Sequence, residues 1–558
     1  MRRAGDNDMV APMSGLLGLD RDALDRARES RDPRFDGKFF IAVTSTGIYC
    51  RPICPSPTSR KVNVRYYATA AAAAEAGFRP CLRCRPEAAP GTPAWLGTSA
   101  VVRRALRLIH DGLLDEASVD VLADRVGIGP RHLHRLFIQH VGASPTAVAH
   151  TRRLHFAKRL LDETDLPVTQ IAMAAGFGSV RRFNDCFLRT YRRSPRELRR
   201  QRRRGVLAAG GEVALRLAFR PPYDWSQVRD SLAARAVPGV ERVDGRGYAR
   251  TVASDSGHAL ICVRHLPGED ALELRVRGAP AAALYHLSWS ARRCFDLAAD
   301  PARIALALGR DPLLAPLVER WPGLRIPGAW DPFECAVLAV LGQSAGVTRR
   351  LAARLVGRLG RPVASGTDGL THLFPTPGAL AAADLRAHGV SGARADALHA
   401  LAHAVGDGAL DLGGPAEDVA AALAALPGFG VWTAQHVALR ALGEPDGLPA
   451  ADGVLRRMAA AGKPPLAVRA LAARAEAWRP WRGYAAALLW QAADDRAGHP
   501  ARASRIPIVV EPRRREDREE WTRHQQGATP PARSSRSSEA QRTLLVAGPS
   551  SRSSRLRG

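Results

Sequence analysis

Four cysteines with the spacing of metal ligands lie close together in this 558-residue chain. Cys50 and Cys54 form a C-x3-C pair, and Cys81 and Cys84 form a C-x2-C pair. Two such pairs are typical of a tetrahedral zinc site with four thiolate ligands. Such a site is usually structural, because no coordination position is left for a reactive water. The spacing therefore predicts one zinc ion, and its simplest interpretation is a closed structural knuckle.

Both cysteine pairs have basic neighbours. Arg51 follows the first cysteine, and Arg79 and Arg83 accompany the second pair. Guanidinium groups bind phosphate in bidentate geometry, so these arginines favour a DNA backbone as the partner. Disulfide pairing is the alternative to metal binding. It is disfavoured because the N-terminus has no apolar signal segment and the other four cysteines are scattered.

The sequence around the cysteines carries a family resemblance. Its words are Cys50-Arg-Pro-Ile-Cys54, Asn63-Val, Tyr66-Tyr-Ala and Gly77-Phe-Arg-Pro-Cys81-Leu-Arg-Cys84. Over residues 20–90 the chain resembles the N-terminal zinc domain of the Ada family of bacterial alkylation-response proteins. In that family the zinc-bound thiolate that matches Cys50 accepts a methyl group from a DNA methylphosphotriester. The resemblance also implies DNA contacts from Thr46, Arg51, Arg60 and Lys61.

Methyl transfer to Cys50 would change the charge of the site. A zinc-bound thiol stays deprotonated at neutral pH, so it is a nucleophile without a separate base. The thioether product carries no negative charge and repels phosphate less. We therefore expect a stoichiometric reaction that also strengthens DNA binding.

The composition favours a nucleic-acid partner. Lys and Arg total 81 against 54 Asp and Glu, a formal net charge of +27. A genome rich in arginine codons explains part of this excess but not the clustering at 181–204. A second basic run, rich in Ser and Pro, begins near residue 503 and is expected to be disordered. No apolar run is long enough to cross a membrane, so we expect a cytoplasmic, nucleoid-associated protein without a membrane partner.

Two segments, 119–128 and 168–177, repeat at an offset of about 49 residues. Each has apolar residues at helical spacing, a glycine (Gly127 or Gly176) that permits a left-handed turn, and then a second amphipathic helix. Both copies end in Ser-Pro, which is expected to stop the helix. Two such units joined by a helix over 144–162 fit two successive major grooves. Plain packing of α-hairpins is the alternative.

The repeated unit resembles the DNA-binding domain of the AraC family. The resemblance implies a promoter operator and RNA polymerase as partners. The residues expected to contact bases or phosphates are Arg131, His132 and Arg135 in the first copy and Arg181, Arg182 and Asn184 in the second.

A glycine hairpin marks the C-terminal half. Leu426-Pro-Gly-Phe-Gly-Val-Trp-Thr-Ala434 ends one helix and starts the next. Gly428 and Gly430 let backbone N–H groups approach a phosphate, and the following helix N-terminus adds a favourable partial charge. Asp452 follows about 20 residues later, before an apolar run where it would also suit a helix N-cap.

This combination resembles the helix-hairpin-helix DNA glycosylases, and residues 212–492 narrow the resemblance to the AlkA-type 3-methyladenine glycosylases. The matching words include Pro221-Pro-Tyr-Asp-Trp225, Gly323-Leu-Arg-Ile-Pro-Gly328, Leu341-Gly-Gln343, Phe374-Pro-Thr-Pro377 and Trp478-Arg-Pro-Trp-Arg-Gly-Tyr484. In that family the aspartate matching Asp452 stabilises positive charge on the sugar as the base leaves. Strand-cutting members carry a lysine at the position of Trp432, so excision without strand cleavage is implied. The module lacks a closing four-cysteine cluster, so no iron–sulfur cofactor is expected.

An aromatic base pocket is also implied by the resemblance. Trp432, His436 and Trp490 match pocket positions, where stacking and cation–π attraction can hold a flipped, positively charged base. Burial of Trp490 in the core is the alternative. His436 replaces a tyrosine and Ser231 a phenylalanine, and Gln343 is expected to contact DNA and fill the gap left by the flipped base.

The expected fold is multidomain and mainly α with α+β parts. It comprises a small α/β domain with a four-cysteine zinc site, an all-α double helix-turn-helix domain and an AlkA-like glycosylase with a small antiparallel β-sheet subdomain and a helix-hairpin-helix α domain. A disordered basic tail follows. The expected boundaries are 1–18 (disordered), 19–92 (zinc), 95–204 (double helix-turn-helix), 205–300 (β subdomain), 301–500 (helix-hairpin-helix) and 501–558 (tail).

The expected function combines regulation and repair in the response to DNA alkylation. Double-stranded DNA, either alkylated or carrying a promoter operator, is the expected partner. The competing hypothesis is a transcription activator whose glycosylase-like module is catalytically weak or inactive.

Overall fold

The computed structural model of the chain describes residues 19–90, 100–200, 212–254, 257–342, 345–363 and 369–496. The two segments expected to be disordered, 1–18 and 501–558, lie outside these residues. Within the described part, every helix is too short or too polar to span a lipid bilayer.

The N-terminal part is a small α/β unit. Its elements are α1 (Arg21–Glu29), β1 (Phe40–Val43), β2 (Ile48–Cys50), β3 (Val64–Tyr67), α2 (Ala70–Glu75) and β4 (Arg79–Pro80), with 3-10 turns at Pro33–Phe35, Lys61–Asn63 and Pro86–Ala88. The strand order is β3-β1-β2-β4, and only the β2–β4 pair is parallel among these described strands. That parallel pairing brings the end of β2 beside the segment that follows β4.

An all-α region follows. Its helices are α3 (Ala100–His110), α4 (Leu113–Glu116), α5 (Val119–Arg125), α6 (Pro130–Val141), α7 (Pro145–Glu163), α8 (Val168–Ala174), α9 (Val180–Tyr191) and α10 (Pro195–Arg200). The predicted repeats are α5–α6 and α8–α9, and α7 connects them. Gly127 (φ +75°) and Gly176 (φ +78°) make the expected left-handed turns.

The two Ser-Pro pairs start helices rather than stop them, which corrects the prediction from sequence. Helix α6 already ends at Gly142, which has a φ of +74°. Ser144 then caps α7, since its side chain accepts the N–H of Ala147, and Pro145 is the first helical residue. Proline suits this position because its missing N–H would have had no helical partner.

A five-stranded antiparallel sheet begins the C-terminal half. It contains β5 (Val213–Ala218), β6 (Glu241–Asp244), β7 (Gly247–Ser254), β8 (Gly257–His265) and β9 (Ala271–Arg277), in the order β5-β9-β8-β7-β6, and α11 (Trp225–Ala233) lies between β5 and β6. The apolar runs at 213–219, 258–264 and 271–276 predict β5, β8 and β9, whereas no such run predicts β6 or β7. Strand β7 lacked a strand-like pattern because it buries the polar residues Arg250 and Thr251.

The remainder is helical. Its elements are α12 (Leu284–Cys294), α13 (Pro301–Leu308), α14 (Ala315–Arg320), α15 (Pro332–Leu341), α16 (Ala345–Leu359), α17 (Pro377–Ala381), α18 (Gly392–Gly406), α19 (Ala416–Ala425), α20 (Val431–Arg440), α21 (Gly453–Ala459), α22 (Val468–Ala475) and α23 (Arg482–Arg496), with 3-10 turns at Ala281–Ala283 and Glu476–Trp478. The predicted hairpin joins α19 to α20.

Hydrophobic cores cross the boundaries between these regions. One buried cluster unites Phe183 and Phe187 of α9 with Leu217 of β5 and Leu287 of α12. Both phenylalanines are fully buried, and burying such a side chain contributes about 1.5–3 kcal/mol. A second cluster packs Ala72 of α2 with the residues of α5 and α6. The described regions are therefore packed against each other.

Candidate zinc centre, DNA-binding surface and glycosylase site

The four predicted ligands converge at the end of the small sheet. Cys50 closes β2, and Cys54 lies in the turn after it, where its N–H donates to the Arg51 carbonyl. Cys81 and Cys84 follow β4, and the Cys81 N–H donates to the carbonyl of the β2 residue Tyr49. All four sulfur atoms lie within 4.8 Å of one another.

This cluster fits a zinc ion. Tetrahedral zinc with Zn–S bonds of about 2.3 Å needs sulfur atoms about 3.8 Å apart, which side-chain adjustment within the cluster can supply. The four ligands differ in access: Cys81 and Cys84 are 7% and 6% exposed, whereas Cys50 and Cys54 are half-buried. The accessible side of the cluster is therefore the side of Cys50 and Cys54.

Arg51 lies behind the cysteine cluster. Its backbone N–H donates to Cys84 Sγ (3.3 Å), and its guanidinium donates to the Cys84 carbonyl (3.0 Å) and to Asp36. Its side chain is only 12% exposed. The structure thus places Arg51 as a support for Cys84, and a DNA contact by Arg51 stays a prediction.

The other DNA contacts predicted in this unit are exposed. Thr46 lies in the turn between β1 and β2, and Arg60 and Lys61 lie at the 3-10 turn before β3. The Lys61 ammonium is 3.8 Å from Glu29 and 59% exposed, so it remains accessible to a phosphate. Contact by these three residues also stays a prediction.

The zinc unit touches the connecting helix α7 beside the cluster. The hydroxyl of Tyr49, the neighbour of Cys50, is 2.9 Å from Nε2 of His155. Burial, assisted by Lys158, lowers the pKa of His155 to about 4, so this imidazole is neutral at pH 7. At the start of α7, the Glu75 carboxylate of α2 accepts the Ser144 hydroxyl and N–H.

The zinc unit also touches the glycosylase-like half through buried charges. Lys38 forms an ion pair with Asp300 at 2.7 Å, with side-chain exposures of 5% and 0%. Arg220, which follows β5, donates to the Asp36 carbonyl at 2.9 Å and to the Ala298 carbonyl at 3.0 Å. Sequence spacing gave no signal for these contacts, because the partners are far apart along the chain.

The two second helices of the repeats expose equivalent faces. Buried positions 133 and 137 of α6 match 183 and 187 of α9. The predicted contact residues lie on the exposed faces; they are Arg131, His132, Arg135, Arg181, Arg182 and Asn184. The structure thus presents two basic helical faces, one from each copy.

Asp452 caps α21 and also lies at the centre of the predicted glycosylase site. Its Oδ1 accepts the N–H groups of Val454 (2.9 Å) and Leu455 (3.0 Å). The indole N–H of Trp432 donates to Oδ2 (3.2 Å), and that of Trp490 donates to Oδ1 (3.3 Å). Donors from α20, α21 and α23 therefore orient one half-buried carboxylate. The same aspartate is both the N-cap of α21 and the predicted catalytic acid.

The predicted pocket residues are brought together around this aspartate. The rings of Trp432 and His436 stack with centroids 5.1 Å apart. His436 Nδ1 is buried and has no hydrogen-bond partner in the described part of the chain. Burial, then Arg440 and Arg235, lowers the pKa of His436 to about 3. The imidazole is therefore neutral.

Sequence reasoning missed Arg440. Its guanidinium lies 5.4 Å from the Trp490 ring centroid and donates to the Pro327 carbonyl (2.8 Å). A signal existed, since Trp432, His436 and Arg440 recur every four residues and so share one face of α20. Because Arg440 already occupies the cation–π position on Trp490, cation–π attraction of a charged base to that ring is weakened.

The hairpin glycines differ in their roles. Gly428 has a φ of +79°, and a Cβ there would lie 2.6 Å from the Ala397 Cβ, so both its conformation and packing require glycine. Gly430 caps α20 and has open space around the Cβ position. Phosphate binding at this hairpin stays a prediction, as does the role of Gln343, which lies outside the described residues.

The acids near Asp452 in sequence have other tasks. Asp446 is 9% exposed and binds Arg479 and Arg482. Asp384 accepts the N–H of Arg386, whose side chain pairs with Asp396. None of these three carboxylates contacts the described aromatic pocket residues.

Three parts of the chain match known protein families. Residues 23–87 match the metal-binding domain of Ada, residues 122–201 match a helix-turn-helix domain, and residues 214–331 match the AlkA N-terminal domain. With the convergence of the sulfur atoms, the first match shows that Cys50, Cys54, Cys81 and Cys84 hold one zinc ion.

Whole proteins that resemble this chain extend these matches, and one of them spans most of its length. The chain is 42% identical over 472 residues to the probable bifunctional transcriptional activator/DNA repair enzyme AlkA of Mycobacterium tuberculosis, covering 83% of this chain and 95% of that protein. It is 37% identical over 284 residues to DNA-3-methyladenine glycosylase 2 of Escherichia coli, covering 49% of this chain and 95% of that protein. It is 38% identical over 148 residues to the bifunctional transcriptional activator/DNA repair enzyme Ada of Escherichia coli, covering 26% of this chain and 40% of that protein. The chain therefore belongs to the family of bifunctional transcriptional activator/DNA repair enzymes that join an Ada-type zinc domain, an AraC-type helix-turn-helix domain and an AlkA-type DNA glycosylase.

Proposed function

We propose that Cys50 accepts one methyl group, stoichiometrically, from a methylphosphotriester in DNA. Zinc bound by the four cysteines would keep their sulfur atoms deprotonated at neutral pH. The Cys50 sulfur forms a bond to the methyl carbon as the carbon–oxygen bond of the triester breaks, and an anionic phosphodiester leaves. The half-buried position of Cys50, against the burial of Cys81 and Cys84, supports its access to DNA, and the family resemblance distinguishes it from the equally half-buried Cys54.

Methylation is then the signal for transcription activation. Loss of one negative charge from the cysteine cluster reduces its repulsion of the DNA backbone. The exposed faces of α6 and α9 bind the operator, and RNA polymerase is the partner of the activated protein. The Tyr49–His155 contact supports this coupling, since it joins the neighbour of Cys50 to the helix between the two repeats.

The C-terminal half hydrolyses the N-glycosidic bond of alkylated bases of the 3-methyladenine type. The positively charged alkylated base leaves as a neutral molecule with the electron pair of the broken bond, while the Asp452 carboxylate stabilises positive charge on the sugar. Water then supplies a hydroxyl to the sugar carbon and releases its proton to solvent. This proposal rests on the four N–H donors that orient Asp452, two from the backbone and two from the indoles of Trp432 and Trp490. An indole at position 432 cannot form the covalent amine adduct needed for strand cleavage, so the product is an intact strand with an abasic site.

The proposed domain boundaries are 19–92, 95–204, 205–300 and 301–500, with terminal segments 1–18 and 501–558. One hydrophobic core includes residues of α9, β5 and α12, so the parts on either side of the boundary near 204 share a core.

One substrate tests both proposed activities. DNA treated with a labelled methylating agent is incubated with the full-length zinc protein, and label is measured on the protein and in released bases. We expect one label per chain, located on Cys50 by mass spectrometry, together with release of free 3-methyladenine. Cys50→Ser should lose only the protein label, and Cys262→Ser, at an exposed cysteine outside the cluster, should lose neither. Protein labelling without base release would favour the competing hypothesis of an inactive glycosylase module.

A further inference from the structure

A cavity of about 190 Å³ lies where α3 meets the glycosylase-like half. Its walls come from α3, from α12, from residues 413–417 at the start of α19, and from residues 442–445 after α20. It shares no lining residue with the cysteine cluster, with the exposed faces of α6 and α9, or with the Asp452 pocket. It is a separate feature of the molecule.

The cavity carries an excess of positive charge. Its lining includes five arginines, Arg103, Arg104, Arg107, Arg292 and Arg293, and three carboxylates, Asp296, Glu417 and Glu444. Asp296 already accepts the N–H of Ile326 (3.1 Å) and the hydroxyl of Tyr484 (2.7 Å). Glu417 is 67% exposed and lies 3.6 Å from Arg104, so it screens that arginine only weakly.

Three of these arginines form no direct ion pair within the described structure, although the Asp111 carboxylate lies near Arg107 and Arg293 and the Glu444 carboxylate lies near Arg107. Across the described ranges, Arg107, Arg292 and Arg293 form no ion pair within 4.0 Å. Arg107 Nη1 and Arg293 Nε are buried without a hydrogen-bond partner in the same residues. Burial lowers the pKa of Arg292 to about 9, with Arg159 and Arg220 adding to the effect. Arg292 donates to the Pro90 carbonyl and to the Ala218 carbonyl (3.3 Å), and Arg293 donates to the Trp330 carbonyl (3.1 Å), so these partners are neutral. Buried charges are normally paired, so an anion in the cavity would supply the direct ion pairs that these arginines do not have.

The rest of the lining suits a ligand with a flat or apolar part. Trp289 lines the cavity, and His110 stacks on it with ring centroids 4.6 Å apart and planes 9° apart. The ten-residue helix α19 begins at the wall, and its cap residue Pro415 offers no side-chain hydrogen bond to the first N–H groups. These groups give the wall a positive partial charge.

We propose that this cavity binds a small phosphate-bearing molecule with a flat or apolar body, no larger than a nucleoside monophosphate. The phosphate would pair with Arg107, Arg292 and Arg293, since guanidinium groups bind phosphate in bidentate geometry. The body would lie against Trp289. Because residues of both α3 and α12 line the cavity, the ligand contacts the helix-turn-helix part and the glycosylase part at once, and binding raises the thermal stability of the chain.

The test uses AMP as the probe, with inorganic phosphate and adenosine as separate arms. Binding to the full-length zinc protein is measured by calorimetry, and Tm is measured in parallel. Phosphate also binds DNA-contacting surfaces, so each titration is repeated with saturating duplex DNA. We expect one AMP per chain with and without DNA, weaker binding of phosphate and of adenosine, and a higher Tm with AMP.

Variants locate the binding site. Arg107→Gln and Arg292→Gln should each weaken AMP binding at least about tenfold, because each loses a charge-assisted contact. Arg310→Gln, at an exposed arginine outside the cavity, should bind AMP as the wild type does. The Tm of each variant without ligand checks that it folds. The proposal is overturned if AMP does not bind at millimolar concentration, if DNA abolishes its binding, or if the folded cavity variants bind it normally.

Discussion

The indole N–H of Trp432 donates to the Asp452 carboxylate across 3.2 Å. This bond joins a wall of the proposed base pocket to the acid that caps α21. Trp490 makes the equivalent bond to the other carboxylate oxygen. The position of the carboxylate is therefore set by the two indoles, and the proposed stacking and charge stabilisation depend on the same side chains.

Trp432→Phe tests this dependence. The substitution keeps an aromatic face but removes the N–H donor, so the carboxylate loses part of its orientation. A hydrogen bond to a charged group is worth about 1.5–3 kcal/mol, so we expect kcat for base release to fall about 10-fold to 100-fold. Trp225→Phe, at a tryptophan stacked on His265 and Phe295, is the matched control. Equal losses in both variants would contradict a specific role for Trp432.

Loss of a buried zinc ligand should release the metal. Cys84→Ser removes a thiolate that is 6% exposed and contacts the Arg51 N–H, so zinc content should fall from one ion per chain to near zero. The Ada-type unit should then lose its folded structure. Cys262→Ser, at an exposed cysteine, should keep one zinc. Metal analysis and protease sensitivity of residues 19–90 measure the two effects, and full zinc retention in Cys84→Ser would contradict the ligand assignment.

The Lys38–Asp300 pair should stabilise the junction of the zinc unit and the glycosylase half. Lys38→Met leaves a buried, unpaired carboxylate and should lower the free energy of unfolding by about 3–5 kcal/mol. Adding Asp300→Asn should recover much of this loss, because asparagine removes the charge but still caps α13.

An exposed ion pair provides the control for that experiment. Arg386 and Asp396 are 2.9 Å apart, but their side chains are 64% and 63% exposed. Arg386→Met should change the free energy of unfolding by less than about 1 kcal/mol. Urea unfolding measures all the variants. A loss in Lys38→Met no larger than that in Arg386→Met would show that the junction does not depend on the buried pair.

His155 should make stability depend on pH. Its folded pKa is about 4, against an ordinary value of 6.5. Between these values the unfolded chain binds a proton that folded His155 does not, so stability falls as pH falls through this window. His155→Gln should therefore flatten the decline of Tm between pH 6.5 and pH 5, while His403→Gln, at an exposed histidine, should not. Zinc content is measured in each sample, since acid also protonates the thiolates. Identical Tm slopes in the wild type and His155→Gln would contradict the assignment.

Local motifs were enough to predict much of the architecture. The cysteine pairs, the repeated glycine turns and the α19–α20 hairpin each occupy a short stretch, so their geometry can be predicted from the spacing of their residues. The fold class and the zinc cofactor predicted from them are confirmed. Asp452 and its two tryptophans came from family resemblance, and the structure places the three side chains together.

Contacts between distant segments could not be predicted in this way. The sequence position of Arg51 suggested phosphate binding, but Asp36, from a separate loop, pairs with its guanidinium. Strand β7 buries Arg250, whose ion-pair partner Glu334 lies on α15. Because a buried arginine interrupts the apolar pattern, this strand was not predicted from the sequence. Arg440 carried a helical-spacing signal, but only the fold shows that it lies over Trp490.

Release of 3-methyladenine by wild-type chain and by Asp452→Asn tests the central claim most directly. Single-turnover rates are measured on methylated duplex DNA with the full-length zinc protein, and Asp384→Asn, at an exposed aspartate, is the matched control. We expect the wild type and Asp384→Asn to release the base at equal rates, and Asp452→Asn to be at least about 100-fold slower, since a neutral amide cannot stabilise positive charge on the sugar. Equal rates in the wild type and Asp452→Asn, or no release by the wild type, would contradict the account.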